Sequence, residues 1–592
     1  MTQPHTIVVG DISVTIDGAD LRDIRWRGQE AVRRIYPVFQ DRNWTNRLFV
    51  ITGESVEEVD GSVILTVRGT GSFDAAPLHW EVSASISDRG IDYRFHGTSH
   101  GDFLRNRLGI CVLHPMAAAG TSVEVEHVDG SRTKAALPTD ISPNQPFLDM
   151  RSITHELPDG TRTNVHLLGE VFEMEDHRNW TDASFKTYCT PISIPFPVEV
   201  RAGDVIDQAV EVSFSPGTST FELATTNQAN AIEITTTGEE TRIPRLGLCV
   251  AVSEEPPSDA QLAALAELSL DHLRVSVDAV DPRAVEHIDE AARQARAVGA
   301  RLRVASHCDD PDQLSAFADL ATDTVELVDC WYVFSQKYKV TPDDWAVRAR
   351  AALASAFVAV PLGGGTDLYF TELNREPPDP TAFDVLNFSI NPQVHAFDDR
   401  TLVQNAMTQA AVAANAPRIT KQTPLSVAPI SLRPRFNPNA TDPDADVSNT
   451  ALPSDVDARQ ASYFTANWTA MSIKYLSEAG TVASATYFET IGWKGVLERE
   501  AGSPDPLNFP SEPGQRFPVW ETFHALAGAT TARTCRSSDA EQIDALVVTG
   551  TSIHRALIVN WTPESHTIRI DGSDPVAVDP SCLTILELPA RN

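Results

Sequence analysis

From Arg245 onward the chain alternates apolar strand patterns with capped helical patterns for roughly 285 residues, and few folds absorb so long an alternation. A strand over 246–252 is followed by Ser258-Asp259-Ala260-Gln261, a capping box that opens a Leu/Ala helix. After a strand over 273–277, Asp281-Pro282 starts a helix that Gly299 ends, with cap, first-turn proline and terminal glycine in the right order. Another strand over 301–306 precedes Asp310-Pro311, a second cap-proline pair. Further strands are expected over 325–329, 368–371, 385–390, 425–430 and 485–488. Eight strands alternating with helices predict a (β/α)8 TIM barrel spanning 244–530, near the typical length of about 250 residues.

The flanks have a different texture. Residues 1–243 are short alternating segments broken by Gly, Asp, Asn and Pro, the pattern of an antiparallel sandwich with one wet face. Residues 531–592 return to strands. The expected chain is therefore multidomain, α/β plus all-β: an N-terminal β-sandwich (1–243), the central barrel (244–530) and a small C-terminal β-sandwich (531–592). Within the first part, Asp41-Arg42-Asn43-Trp44-Thr45 is echoed by Asp176-His177-Arg178-Asn179-Trp180-Thr181. The echo suits either two packed corners, each with an Arg held by a carboxylate, or a surface that reaches over a neighbouring active site.

Composition excludes several partners. Lys and Arg number 47 against 81 Asp and Glu, a formal charge of −34 that repels nucleic acid and anionic lipid. No run of eighteen apolar residues occurs, and the N-terminus reads as a first strand rather than a signal peptide, so a cytoplasmic location without membrane association is expected. Seven scattered cysteines form no CxxC pair or Cys/His cluster, so neither a disulfide framework nor a zinc cluster is expected, and no metal ligands are singled out. Oligomeric state is not legible.

Candidate chemistry gathers on two similar stretches. Residues 363–374, Gly-Gly-Gly-Thr-Asp-Leu-Tyr-Phe-Thr-Glu-Leu-Asn, read as a glycine turn feeding an aromatic strand that ends in Glu372. Ala485-Thr486-Tyr487-Phe488-Glu489-Thr490 repeats the context and ends in Glu489. Carboxylates ending barrel strands five and eight would face one another across the barrel mouth, where active sites of this fold lie. Such a pair suits cleavage of a C–O bond, one group protonating the leaving oxygen while the other attacks or activates water. Arg274, inside an apolar strand, needs a carboxylate partner whether its role is structural or in the site. His307 and His395 could each hold a substrate hydroxyl, and His307 equally reads as a core histidine. Asn374 shares the direction of Glu372 by strand alternation, Trp493 could stack on a sugar ring, and Asp398 and Asp399 read as helix caps. No phosphate loop, nucleophile elbow or His-Glu-x-x-His site is present.

Five runs carry a family resemblance: Arg105-Asn106-Arg107 to His114-Pro115, residues 174–188, Tyr369-Phe370-Thr371-Glu372-Leu373-Asn374-Arg375, residues 391–399 and Phe488-Glu489-Thr490-Ile491-Gly492-Trp493. They resemble the D-apionate lactonase family of bacterial apiose catabolism, through the N-terminal domain and the barrel but not the last sixty or so residues. The resemblance implies hydrolysis of D-apionolactone, a branched sugar lactone, to D-apionate, with no organic cofactor. The family barrel is similar to that of retaining glycosidases, many of which place Asn directly before the acid; here position 371 is Thr. The expected function is a sugar-lactone hydrolase with Glu489 as base or nucleophile, Glu372 as acid, and Arg274, His307 or His395 binding the oxyanion or hydroxyls. Alternatives are a glycoside hydrolase acting on a furanoside, or a carbohydrate-binding protein whose β-domains do the binding.

Overall fold

The computed structural model describes residues 3–47, 49–217, 231–252, 255–317, 320–357, 359–437, 439 and 451–589. They form two compact units: Met1–Arg178 with Ala183–Asn227 and Asn437–Asn449, and Asn179–Asp182 with Gln228–Phe436 and Thr450–Asn592. No helix among the described residues is long and apolar enough to cross a membrane.

In the first unit, seventeen strands between His5 and Ser215 are linked by antiparallel pairings. Strand Ala76–Ser87 shows why: Leu78, Trp80, Val82, Ala84 and Ile86 point inward while Pro77 and His79 face solvent, the period-two alternation of a half-wet sheet. At the first Asn-Trp-Thr corner, the Asp41 carboxylate accepts the N–H groups of Asn43 and Thr45 at 2.8 and 3.0 Å, holding Trp44 at φ +64°. The Arg107 guanidinium lies 4.8 Å from the Trp44 ring and 4.4 Å from Tyr188. The Asp176 carboxylate holds Arg178 through Nε at 2.8 Å and Nη2 at 2.7 Å. A carboxylate thus fixes the turn at both copies.

The second unit contains the barrel. Its strands are β1 (Arg245–Cys249), β2 (His272–Asp278), β3 (Arg301–Cys308), β4 (Val328–Ser335), β5 (Leu362–Gly365), β6 (Val385–Ile390), β7 (Leu425–Ile430) and β8 (Val482–Ile491). Neighbours pair in parallel and in order, and β1 closes on β8 with Arg245 opposite Ser484 and Leu248 opposite Tyr487. Helices lie between successive strands, including Asp259–Ala266, whose Ser258–Gln261 capping box forms as expected, and Ala284–Val298, which Gly299 ends at φ +79°. Asp281 instead accepts the Arg283 N–H at 2.9 Å in the preceding turn.

Three strands depart from the sequence expectation. The fourth begins at Val328, because Thr322–Leu327 is helical. The eighth continues to Ile491, so Glu489 lies inside it rather than at its end. The fifth is the glycine run itself, and the stretch expected as strand, 368–371, instead runs into a short helix, Phe370–Arg375, that carries Glu372. Packing explains the glycines. A Cβ on Gly363 would lie 2.3 Å from the Tyr332 ring of β4, and one on Gly364 would lie 2.5 Å from the Phe383 ring. Gly365 adopts φ +94°, where the strand ends and the chain turns.

Ile232–Arg242 falls inside the range expected for the first domain, yet it pairs antiparallel with Ala529–Ser537 and parallel with His566–Ile570 in a seven-stranded sheet. That sheet has its own apolar cluster, including Ile234, Ile543, Val547, Ile558 and Ile568. Helix Tyr463–Glu478 meets it through a buried pair, Lys474 Nζ 2.6 Å from Asp544 Oδ1, while the Tyr475 hydroxyl donates to Asp544 Oδ2 at 2.9 Å.

The ring contacts of β5 yield a stability prediction. Gly364→Ala should destabilise the barrel by about 1–3 kcal/mol through overpacking, and Phe383→Leu in the same chain should recover part of the loss. Urea unfolding followed by circular dichroism checks this; an unchanged midpoint for Gly364→Ala would contradict the packing account.

Candidate active site

A cavity of about 240 Å³ opens at the C-terminal ends of the barrel strands, lined by residues of β1, β2, β7 and β8 and of the segments that follow β7 and β8. Active sites of this fold lie at that end. Two charged groups face it with opposite balance.

The first group is built on β8. Glu489 leaves 29% of its side chain exposed among buried neighbours, and its carboxylate lies 3.1 Å from Lys494 Nζ. Lys494 also reaches Asp455 at 2.8 Å. Burial pushes the Glu489 carboxyl above the ordinary glutamate range, with Lys494 pulling the other way. Burial also opposes the charge on Lys494, but Glu489 and Asp455 outweigh it and hold the ammonium above its usual value. The two carboxylates outnumber the ammonium that joins them, while Arg499 also draws the Glu489 carboxyl down.

The second group is built on β5 and β2. Asp367, two residues past β5, accepts from Arg274 Nη2 at 2.9 Å, from Arg435 Nη1 at 2.9 Å and from His307 Nε2 at 2.8 Å. Arg435 Nη2 donates in addition to the Asp367 main-chain carbonyl. Burial alone would raise the Asp367 carboxyl, but Arg435, Arg274 and His307 together hold it well below the usual carboxylate range. Arg274 and Arg435 line the cavity. Two guanidiniums against one carboxylate leave one formal positive charge here, before any charge on His307. Asp457, which also lines the cavity, ties down Arg459 at 2.8 Å and Arg433 at 3.4 Å, and although burial opposes its charge its carboxyl is drawn down to about 2.

The residues singled out in the sequence separate into groups. Arg274 and Glu489 both line the cavity, and His307 meets Arg274 through Asp367. Glu372 does not line it: its buried carboxylate accepts the Tyr369 N–H at 3.2 Å at the start of the short helix. Burial raises its carboxyl against the pull of Lys339 and Arg375. Asn374 and His395 meet the Trp180 turn. Asn374 Nδ2 donates to Asn179 at 2.9 Å, and His395 Nδ1 lies 2.7 Å from Asp182, which also accepts from Asn405 at 2.7 Å. The His395 and Trp180 rings are 5.5 Å apart, edge to face, and Arg375 lies over Trp180 at 5.2 Å. Trp493 packs 6.0 Å from Phe509 and donates to Ser503 at 2.9 Å, outside the cavity wall. Asp398 caps helix Asp399–Ala406 by accepting the Thr401 N–H at 3.0 Å, while Asp399 pairs with Arg459.

Asp367, Arg435 and Lys494 were not anticipated. Asp367 left a trace, since it stands two residues after the glycine run and Arg274 demanded a carboxylate partner. Arg435 and Lys494 lie on segments after β7 and β8 without periodicity, and their roles depend on the fold.

Residues 1–217 match the D-apionate lactonase N-terminal domain, and residues 246–531 match the D-apionate lactonase TIM barrel domain. A D-apionate lactonase of Brucella anthropi is 29% identical over 452 residues, 74% of this chain and 74% of its own. Among solved structures, a glucosidase from Croceicoccus marinus aligns at 14% identity with a TM-score of 0.36, over 61% of this chain and 84% of its own. A GH30 endoxylanase from Clostridium papyrosolvens aligns at 10% identity with a TM-score of 0.37, over 61% of this chain and 97% of its own. The chain is a hydrolase and belongs to the D-apionate lactonase family.

Proposed function

We propose that the chain opens D-apionolactone to D-apionate in the cavity that Glu489 lines. The observation that carries this reading is that one cavity is lined both by Glu489, beside Lys494 and Asp455, and by the guanidiniums of Arg274 and Arg435. Lactone hydrolysis needs both kinds of group: a neutral ring goes in, a carboxylate takes a proton from water, and cations meet the negative charge that grows on the carbonyl oxygen. The volume supports a small ligand, since about 240 Å³ lies below the range of roughly 300–1,000 Å³ for drug-sized ligands.

Glu489 takes a proton from water as the water oxygen bonds to the lactone carbonyl carbon. The carbonyl π electrons move to oxygen, and the oxyanion is met by Arg274 and Arg435. Collapse of this intermediate breaks the ring C–O bond, and the leaving oxygen takes the proton back from Glu489, leaving a hydroxy acid. One carboxylate thus suffices for both transfers. The two-glutamate arrangement expected from the sequence would give the second transfer to Glu372, whose raised carboxyl favours a proton donor but whose side chain is outside the cavity wall.

Separate Gln variants distinguish the two arrangements, with lactone opening followed at a pH where spontaneous hydrolysis is slow. Glu489→Gln should lower kcat by about 10²–10⁴-fold, and Glu372→Gln should stay within about tenfold of the parent. Near-parental activity of Glu489→Gln would contradict the reading, and equal losses in both would restore Glu372 as the acid.

The pH profile provides a second test. Glu489 must be ionised to accept a proton, and burial raises its pKa, so kcat/KM should rise with pH through an inflection above the ordinary glutamate range. Lys494→Met removes the cation that favours ionisation, so the inflection should move to higher pH. An inflection that stays in place would exclude Glu489 as the titrating base.

A further inference from the structure

We propose that Asp367 is the positioning residue of the oxyanion side, holding Arg274 and Arg435 as one two-guanidinium receptor; this rests on the lactonase reading above. Neither arginine is fixed by its own element alone. Arg274 rises from β2 with about 1% of its side chain exposed, whereas Arg435 comes from the segment after β7 and is 27% exposed. Two guanidiniums converging on one region repel each other, and a carboxylate between them converts the repulsion into a shared anchor. Asp367 meets them on different oxygens, Arg274 at Oδ1 and Arg435 at Oδ2, while its main-chain carbonyl takes the second prong of Arg435. That two-point grip fixes the plane of the Arg435 guanidinium as well as its position.

The backbone on both sides of Asp367 is itself held. The Thr366 N–H donates to the Asn387 carbonyl at 2.9 Å, the Thr366 hydroxyl to the Lys339 carbonyl at 2.6 Å, and the Leu368 N–H to the Thr366 hydroxyl at 3.0 Å. The Leu368 carbonyl accepts the Ser389 N–H at 2.6 Å and the Ser389 hydroxyl at 2.8 Å. These bonds run to β6 and to the segment after β4, so Asp367 sits on the rigid frame of the barrel. His307 secures the carboxylate from β3, sharing Oδ2 with Arg435. Asp367 touches no reacting atom in this scheme; it sets where the donors stand when charge develops.

The test is a double-mutant cycle of Asp367→Asn, Arg435→Gln and both together, with kcat and KM for D-apionolactone measured per folded enzyme. Each single change should lower kcat by about 10²–10³-fold with KM within about threefold, and the double variant should be no slower than the worse single. Losses that multiply, or a lower melting temperature with unchanged kcat, would overturn the proposal. Should Asp367→Asn fail to fold, Arg435→Lys keeps the charge and removes the two-point grip. It should lose at least about tenfold in kcat, and parental kcat would overturn the proposal. If these changes leave kcat intact while Glu489→Gln still abolishes turnover, the positioning role fails and the lactonase reading stands.

Discussion

A carboxylate taken out of water must be met by cations, and Asp367 meets this demand with Arg274, Arg435 and His307 drawn from three parts of the barrel mouth. The rest of the site follows from that ion cluster. Its arginines line the same cavity as Glu489 and Asp455 with the Lys494 that joins them. A carboxylate and two guanidiniums are thus in place before any ligand enters, and a reaction that needs a proton acceptor and cations together is favoured without reorganisation of the protein.

The placement of Asp367 depends on a strand whose last three residues are glycine. β5 is Leu362-Gly363-Gly364-Gly365, and the rings of Tyr332 and Phe383 occupy the space its side chains would need. The left-handed turn at Gly365 then releases the chain from the sheet and delivers Asp367 to the barrel mouth two residues later. A glycine run that weakens a strand in isolation is here the consequence of close packing between strand and ring.

Much of this architecture was legible in the sequence, because strand and helix periodicity, capping boxes and terminal glycines are local signals. The Ser258–Gln261 capping box and the Gly299 stop are examples. The fifth strand was misplaced because Leu368, Tyr369 and Phe370 have the bulk of a strand and the glycines do not; only the neighbouring rings explain the reverse. Arg274 was legible as a residue needing a carboxylate, but which carboxylate was not, since Asp367 lies 93 positions away. The pairing of Asn374 and His395 with the Trp180 turn was hidden for the same reason: those partners are about two hundred residues apart, and no local pattern records them. The Asp182 carboxylate that meets His395 also accepts from Asn405, so it is largely occupied by its own hydrogen bonds.

In the proposed reaction the lactone ring lies with its carbonyl carbon toward Glu489 and its carbonyl oxygen toward the arginine pair. A crystal structure with D-apionate bound tests it most directly. The account predicts product carboxylate oxygens about 2.7–3.1 Å from the guanidiniums of Arg274 and Arg435, with the carboxyl carbon facing Glu489. A carboxylate seated on Lys494, or a ligand bound beside Glu372 and away from this cavity, would contradict it.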